Sequence, residues 1–290
     1  MSEDKKLQDE ADIIRRAGVV GWPVEHSKSP VIHSYWLEKY GIKGSYEKIA
    51  VQPDMLEDGF RHLVKKGYAG WNVTIPHKEA ACALMNSLDP TAERTGAVNT
   101  VVVEADGKLK GYNTDSYGFL KNLQNSCSDW APKSCTALIL GAGGAARAVI
   151  DALIGQGVPQ IHVMNRTRRN AEKLASDMAA DGVTITVHDW DDSHHDLFST
   201  VTLLVNATPL GMEGGEELEL RIVRHLPKEF AAVCDLVYVP LETPLLERAR
   251  KRGLVTVTGI GMLAHQAVPG FAYWFGQRPE VTDELLDLLQ

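Results

Sequence analysis

Polar motifs sit at the edges of the apolar stretches in the first part of the chain. Gly21-Trp22-Pro23-Val24-Glu25-His26-Ser27-Lys28-Ser29-Pro30 offers two hydroxyls, Ser27 and Ser29, just before a helical pattern. Alone it reads as a capped helix start, because a serine oxygen readily accepts from first-turn N–H groups. GWNVTIPHK (70–78) carries Thr74 at the end of a strand pattern and Lys78 just inside the next helix. A lysine at a helix start is ordinarily solvated. GAVNT (96–100) adds Asn99, and GYNTD (111–115) adds an amide, a hydroxyl and one carboxylate, Asp115. Each motif is bland by itself. Together they collect hydroxyls, amides, an ammonium and a carboxylate on loops at strand ends, a pattern suited to a polyhydroxylated small molecule.

A different chemistry begins at Thr136. TALIL (136–140) is a continuous apolar run, followed by Gly141-Ala142-Gly143-Gly144-Ala145-Ala146 and a helical pattern. Gly141 permits a tight turn, Gly143 lets backbone approach a pyrophosphate, and Ala146 is small enough for close helix–strand packing. Free N–H groups and the dipole at the helix start attract phosphate. The plain alternative is a tight strand-to-helix turn with no ligand; the flanking βαβ pattern favours the dinucleotide. An NAD site would place Asp or Glu at the end of the second strand, on the ribose 2′-hydroxyl. Here that position reads Asn165-Arg166-Thr167-Arg168-Arg169. A carboxylate would repel a 2′-phosphate, whereas guanidinium forks bind it through charge-assisted hydrogen bonds. The expectation is NADP, against the alternative of a solvated charge cluster at a helix start.

These residues need elements to hold them. Strand patterns are expected at 16–22, 45–51, 69–75, 97–103 and 108–112, with helices over 30–40, 54–66 and 76–86 and from about 114. Pro30 suits the first helical position. Residues 125–135, NSCSDWAPKSC, are the best linker candidate. Beyond them come near-continuous apolar runs at 136–140, 160–165, 183–189, 201–206 and 231–238, as in strands buried on both faces of a parallel sheet. Helices are expected to start at about Gly144, Thr167, Leu218 and Thr243, giving a βαβ series and a doubly wound sheet. The tail from Gly259 reads as helical.

Composition narrows the classes. With 290 residues, two domains or one large one are expected at roughly 100–200 residues each. Hydrophobic residues are 44% and charged residues 23%, which excludes disordered and collagen-like chains. No apolar run approaches the length of a membrane span. The net charge of −8 leaves no basic footprint for nucleic acid, so a phosphate ligand must be met by a local cluster. Cys82, Cys127, Cys135 and Cys234 are scattered without ligand spacing, which suits a reduced, cytoplasmic protein. The opening MSEDKKLQDEAD lacks the apolar stretch of a signal peptide. His194 and His195 in DWDDSHHD (189–196) read as part of a solvated acidic loop, and no metal is expected.

From about Gly21 to Phe275 the chain resembles the shikimate dehydrogenases. The resemblance rests on HSKSP, GWNVTIPHK, GAVNT, GYNTD, GAGGAARA, NRT, NATPLGM (206–212), DLVYVPLETPLL (235–246) and GMLAHQ (261–266), all in the same order. It implies NADPH-dependent, reversible reduction of 3-dehydroshikimate to shikimate, in the biosynthesis of chorismate and the aromatic amino acids. The implied fold is an N-terminal α/β substrate domain, a Rossmann NADP domain and C-terminal helices returning to the first domain. The boundaries would be 1–118 with 262–290, and 119–261. Among matching positions, Ser27, Ser29 and Tyr238 would hold the substrate carboxylate, and Thr74, Asn99 and Gln266 its ring hydroxyls. Lys78 and Asp115 would be the catalytic pair, both also touching substrate. Gly141 to Ala146 would carry the pyrophosphate; Asn165, Arg166 and Thr167 the 2′-phosphate; Thr208, Gly259 and Met262 the nicotinamide end. Many members have a further arginine where this chain has Asn170, and Arg168 or Arg169 would have to replace it. Rivals are a quinate or aminoshikimate dehydrogenase, or a ligand sensor on the same fold. A sensor would be expected to lose Lys78, Asp115 or the glycine turn, all present here. A monomer or homodimer that binds a small molecule, with no nucleic-acid or membrane partner, is expected.

Overall fold

The computed structural model describes residues 14–219, 221–228 and 231–290. The polar opening discussed above lies outside them. The chain forms two compact units. One runs up to Thr114 and takes in Ala267–Leu289; the other is Asp115–Gln266.

The first unit is built on a six-stranded sheet in the order β2-β1-β3-β5-β6-β4. Its strands are β1 (Arg15–Gly21), β2 (Gly44–Ala50), β3 (Tyr68–Val73), β4 (Ser87–Leu88), β5 (Thr100–Val103) and β6 (Leu109–Tyr112). Helices α1 (Ser29–Lys39), α2 (Leu56–Lys65), α3 (Lys78–Cys82) and α4 (Pro90–Thr95) connect them. β1, β2 and β3 are mutually parallel, while β5 runs antiparallel to both β3 and β6. That arrangement places the C-terminal ends of β1, β3 and β6 and the start of β5 at one end of the sheet. The core beneath it holds Trp71, Phe60 and Val101. The C-terminal segment returns to this unit: Phe271 packs edge-on against Trp36 at 5.4 Å, and Trp274 donates its Nε1–H to the Val101 carbonyl at 2.9 Å.

The second unit is the expected doubly wound sheet, with all strands parallel in the order β12-β11-β10-β7-β8-β9. Its strands are β7 (Thr136–Leu140), β8 (Gln160–Met164), β9 (Thr184–His188), β10 (Leu203–Asn206), β11 (Ala232–Asp235) and β12 (Val255–Val257). Helices α5 (Asp115–Ser126), α6 (Gly144–Gly155), α7 (Arg168–Asp177), α8 (His195–Phe198) and α9 (Pro244–Lys251) belong to it; α10 (Gly259–Phe275) begins in it, and α11 (Asp283–Leu288) lies in the first unit. Strand order reverses at β7, between β8 and β10, and the crevice above such a switch point is where these sheets bind ligands. Leu138, Ile139 and Leu140 are fully buried, as the apolar run implied.

Several expectations change. The helix over 76–86 shrinks to Lys78–Cys82, and the chain turns into β4 at Ser87. The helix placed at about Leu218 is a single 3₁₀ turn, Ile222–Arg224, with Leu220 outside the described residues. The linker candidate 125–135 lies inside the second unit, and α5 runs through Ser126. Helix α4 is a finding of the structure, although Asp89-Pro90 announces it: the Asp89 carboxylate accepts from Ala92 N–H at 2.9 Å and Pro90 opens the helix. β4 and β12, of two and three residues, are too short for periodicity to reveal.

Candidate active site

The polar end of the first sheet follows from strand direction. β1 leads to Ser27 and Ser29, β3 to Thr74 and Lys78, Asn99 precedes β5, and β6 leads to Thr114. Backbone bonds lock these ends together: Thr74 N–H donates to Val20 O, Val73 N–H to Asn99 O, Asn99 N–H to Tyr112 O and Val98 N–H to Lys78 O, all at 2.8–3.0 Å. The structure therefore brings Ser27, Ser29, Thr74, Lys78 and Asn99 to one sheet end.

A buried side-chain network stiffens that end. Asn99 Oδ1 accepts from Thr114 N–H at 2.8 Å and from Thr100 Oγ1 at 3.1 Å. Asn72 Nδ2 donates to the Asn99 carbonyl and to Thr100 Oγ1, both at 3.1 Å, while its Oδ1 accepts from the Tyr46 hydroxyl at 2.6 Å. Burial pushes the Tyr46 phenol well above its ordinary range, partly offset by a hydrogen bond with Ser29. Ser29 is buried, and its N–H donates to the half-buried Ser27 Oγ at 3.3 Å. His33 stacks on Tyr46 at 3.9 Å and burial lowers its pKa to about 3, so the ring is neutral. Lys78 is the first residue of α3 and half-buried. The turn carrying it is pinned by buried His77, whose N–H donates to Thr74 O at 2.9 Å and whose Nε2 donates to Val51 O at 2.8 Å.

Asp115 belongs to the second unit, where it opens α5 and is buried. A carboxylate in a first turn meets unpaired N–H groups and the favourable end of the dipole. Gly118 lets α5 lie tightly on α10. A Cβ there would stand 2.7 Å from Gln266 Cβ and 2.8 Å from the Met262 carbonyl oxygen. Gln266 is buried and donates from Nε2 to Leu263 O at 2.9 Å. Met262 is buried beside it in α10, which Gly259 opens.

The glycine turn has the geometry its sequence implied. Gly141 adopts φ +110°, and a Cβ there would fall 3.0 Å from the Ala207 carbonyl oxygen. Ala146 is fully buried at the contact of α6 with the sheet, and Ala142, Gly144 and Ala145 are partly exposed. At the end of β8, Asn165 Nδ2 donates to Thr167 O at 2.9 Å. Arg166 is exposed and pairs with Glu216 at 2.5 Å; Arg168 pairs with Glu172 at 2.8 Å and Asp189 at 2.6 Å. Thr208 follows β10 and donates from Oγ1 to Asn206 Oδ1 at 2.6 Å. His194 is placed with Asp189 and Asp191, its Nε2 3.2 Å from the Asp189 carbonyl, and the His195 ring lies 4.2 Å from that of His225.

Family comparison joins the two regions. Residues 19–101 match the shikimate dehydrogenase substrate binding domain, 124–208 the shikimate/quinate 5-dehydrogenase family and 259–283 the shikimate 5′-dehydrogenase C-terminal domain. A shikimate dehydrogenase (NADP(+)) from Paramagnetospirillum magneticum is 53% identical over 271 residues, 93% of this chain and 96% of the relative. The chain belongs to the shikimate dehydrogenase family. The solved shikimate 5-dehydrogenase of Thermus thermophilus, in complex with NADP(H) and shikimate, superposes with a TM-score of 0.82 at 37% identity, covering 95% of this chain and 98% of that one. A quinate dehydrogenase from Corynebacterium glutamicum in complex with NAD superposes with 0.86 at 30% identity, covering 94% and 98%.

Sequence reading of this family member passes over its buried supports. Asp235, at the end of β11, accepts from Asn206 Nδ2 at 2.9 Å, Val237 N–H at 3.1 Å and Thr243 Oγ1 at 2.6 Å. Asn206 Nδ2 also donates to Leu210 O at 3.0 Å. The group ties the 206–212 and 235–238 segments, and so Thr208 and the half-buried Tyr238, to the sheet. Burial raises Asp235 to about 6 and raises the Tyr238 phenol. Asn206 and Asp235 stand inside the NATPLGM and DLVY motifs, which is the available signal.

Proposed function

We propose that this chain catalyses the reversible, NADP-dependent reduction of 3-dehydroshikimate to shikimate. The observation that carries the reading is the pairing, in one shikimate dehydrogenase, of a rigid polar sheet end with a glycine turn followed by Asn165-Arg166-Thr167. The residues fit NADP. A Cβ at Gly143 would meet nothing within 4 Å, so the backbone is open to close approach, and an exposed guanidinium stands where an NAD site carries an acid. Gly141 to Ala146 take the pyrophosphate, Asn165, Arg166 and Thr167 the 2′-phosphate, and Thr208, Gly259 and Met262 the nicotinamide end. Arg168 is already held by two carboxylates, which favours Arg169 as a second phosphate contact.

NADPH, when bound, supplies the hydride for the carbonyl carbon. Negative charge then develops on the carbonyl oxygen, and Lys78 donates a hydrogen bond and a proton to it. In the reverse direction its neutral amine accepts the hydroxyl proton. Asp115 is its partner in the catalytic pair and accepts from a ring hydroxyl. Ser27, Ser29 and Tyr238 donate to the substrate carboxylate, and Thr74, Asn99 and Gln266 bind ring hydroxyls. The substrate domain comprises 1–118 with 262–290 and the NADP domain 119–261 in this reading. The enzyme works in the cytoplasm as a monomer or homodimer, without nucleic-acid or membrane partners. The net charge of −8 supports the absence of a nucleic-acid partner, and no described helix is long and apolar enough to cross a membrane.

An absorbance assay at about 340 nm, the reduced nicotinamide band, with shikimate or quinate and NADP or NAD in all four combinations, tests the reading. Shikimate with NADP is expected to be fastest. Faster turnover of quinate, or equal use of NAD, would overturn the substrate or the cofactor assignment respectively.

A further inference from the structure

The Arg166 guanidinium already has an anionic partner inside the protein. Its Nη1 donates to Glu216 Oε2 at 2.5 Å, and both side chains are mostly exposed. Glu216 comes from the loop that follows β10, far along the chain from Arg166. That loop is closed on itself and tied to its neighbours. Gly211 N–H donates to the Glu216 carbonyl at 2.8 Å, Gly215 N–H to Met212 O at 2.9 Å, and Glu213 N–H to Val239 O at 2.9 Å. Its root is held by the Asn206–Leu210 hydrogen bond. Glu216 is therefore presented by an ordered turn, and replacing its side chain leaves the backbone closure intact.

The end of β8 lacks the acid that an NAD site carries, and Glu216 brings a carboxylate to the Arg166 side chain from another strand's loop. The Arg166 Nη1 that donates to this carboxylate cannot give the same N–H to a phosphate. A 2′-phosphate must either take that N–H from Glu216 or bind beside it, and in both cases bears its repulsion, whereas a ribose 2′-hydroxyl carries no charge for Glu216 to repel. We propose that Glu216 is a specificity-setting residue, an internal rival for Arg166 that holds down the preference for NADP over NAD. The proposal rests on the assignment of Arg166 to the 2′-phosphate.

The test is direct titration of NADP and NAD into the intact protein and into Glu216→Gln, Glu216→Lys, Arg166→Ala and the Arg166→Ala/Glu216→Gln double variant, at low and at high salt. An exposed pair of this kind contributes little, so Glu216→Gln is expected to tighten NADP by about two- to fivefold and to shift NAD by less than about twofold. Glu216→Lys should tighten NADP further, with the gain shrinking at high salt. In the Arg166→Ala background the glutamine substitution should change NADP affinity by less than about twofold. Weaker or unchanged NADP binding by Glu216→Gln, with Arg166→Ala still impaired, would show that Glu216 orients Arg166 or is idle, and would overturn the rivalry alone. Unimpaired NADP binding by Arg166→Ala would overturn the phosphate assignment and the rivalry together. Circular dichroism spectra matching the unmodified protein establish that each variant is folded.

Discussion

The two regions assigned to substrate and cofactor are built on opposite principles. At the end of the first sheet, the proposed substrate contacts are backed by neutral side chains that are buried and hydrogen-bonded to one another: Asn72, Asn99, Thr100 and Thr114. At the switch point of the second sheet, the proposed cofactor contacts are backbone on a glycine turn and exposed arginines held by surface carboxylates. The difference matches the ligands. Hydroxyl patterns are distinguished by fixed donors and acceptors, whose penalty when unpaired is what rejects a wrong partner. A phosphate is recognised by charge, which works from flexible, exposed groups. The first region should therefore be sensitive to substitutions that leave charge unchanged, the second to charge and salt.

Lys78 stands apart from this contrast and has the largest expected effect. Its ammonium is most useful when the carbonyl oxygen becomes alkoxide-like, so its loss acts on kcat more than on binding. Lys78→Ala is expected to lower kcat by about 10²–10⁴ with Michaelis constants changed by less than about tenfold. A folded variant that keeps most of its kcat would leave Lys78 an ordinary lysine at a helix start.

Asn99→Ala tests the rigid region. It removes the Oδ1 that accepts from Thr114 N–H and Thr100 Oγ1, and the loss of these buried hydrogen bonds costs about 1–3 kcal/mol. Denaturant unfolding should show that loss, together with a raised Michaelis constant for shikimate and little change for NADP. A stability equal to that of the unmodified protein would mean that the network contributes nothing to the fold.

Asp235 shows that the second region has a rigid base of its own. Its pKa is raised by burial to about 6, so the stability it contributes is fully present below the unfolded value of 3.8 and is lost as pH rises through about 6. Asp235→Asn cannot ionise, so the stability of the unmodified protein relative to this variant is expected to fall by up to about 3 kcal/mol as pH rises from 4 to 6, an order-of-magnitude figure. Unfolding curves at intervals across that range check it; identical pH slopes would contradict the raised pKa.

Legibility in the sequence divides along the same line. The doubly wound sheet is readable because strands buried on both faces are apolar throughout, and the glycine turn because backbone geometry constrains residue type at Gly141 and Ala146. The mixed first sheet gives up its strands other than β4 but not their order, since β5 joins antiparallel next to β3 through pairings that local patterns do not encode. Its site residues are visible only as separate polar motifs. Asn72, His77 and Asp235 escape notice because a buried polar residue looks in sequence like any loop or strand-end residue until its partners are known. Glu216, an exposed residue, escapes because fifty positions separate it from Arg166.

The division of labour between the two regions is tested most directly by separate titration of shikimate and of NADP into Ser27→Ala and Arg166→Ala. Each substitution removes about one hydrogen bond to a charged group, about 1.5–3 kcal/mol or roughly ten- to a hundredfold in affinity. The expected result is a crossed pattern: Ser27→Ala loses shikimate and keeps NADP, and Arg166→Ala loses NADP and keeps shikimate. A Ser27→Ala protein that bound shikimate normally and NADP poorly would contradict the assignment of the first sheet to the substrate.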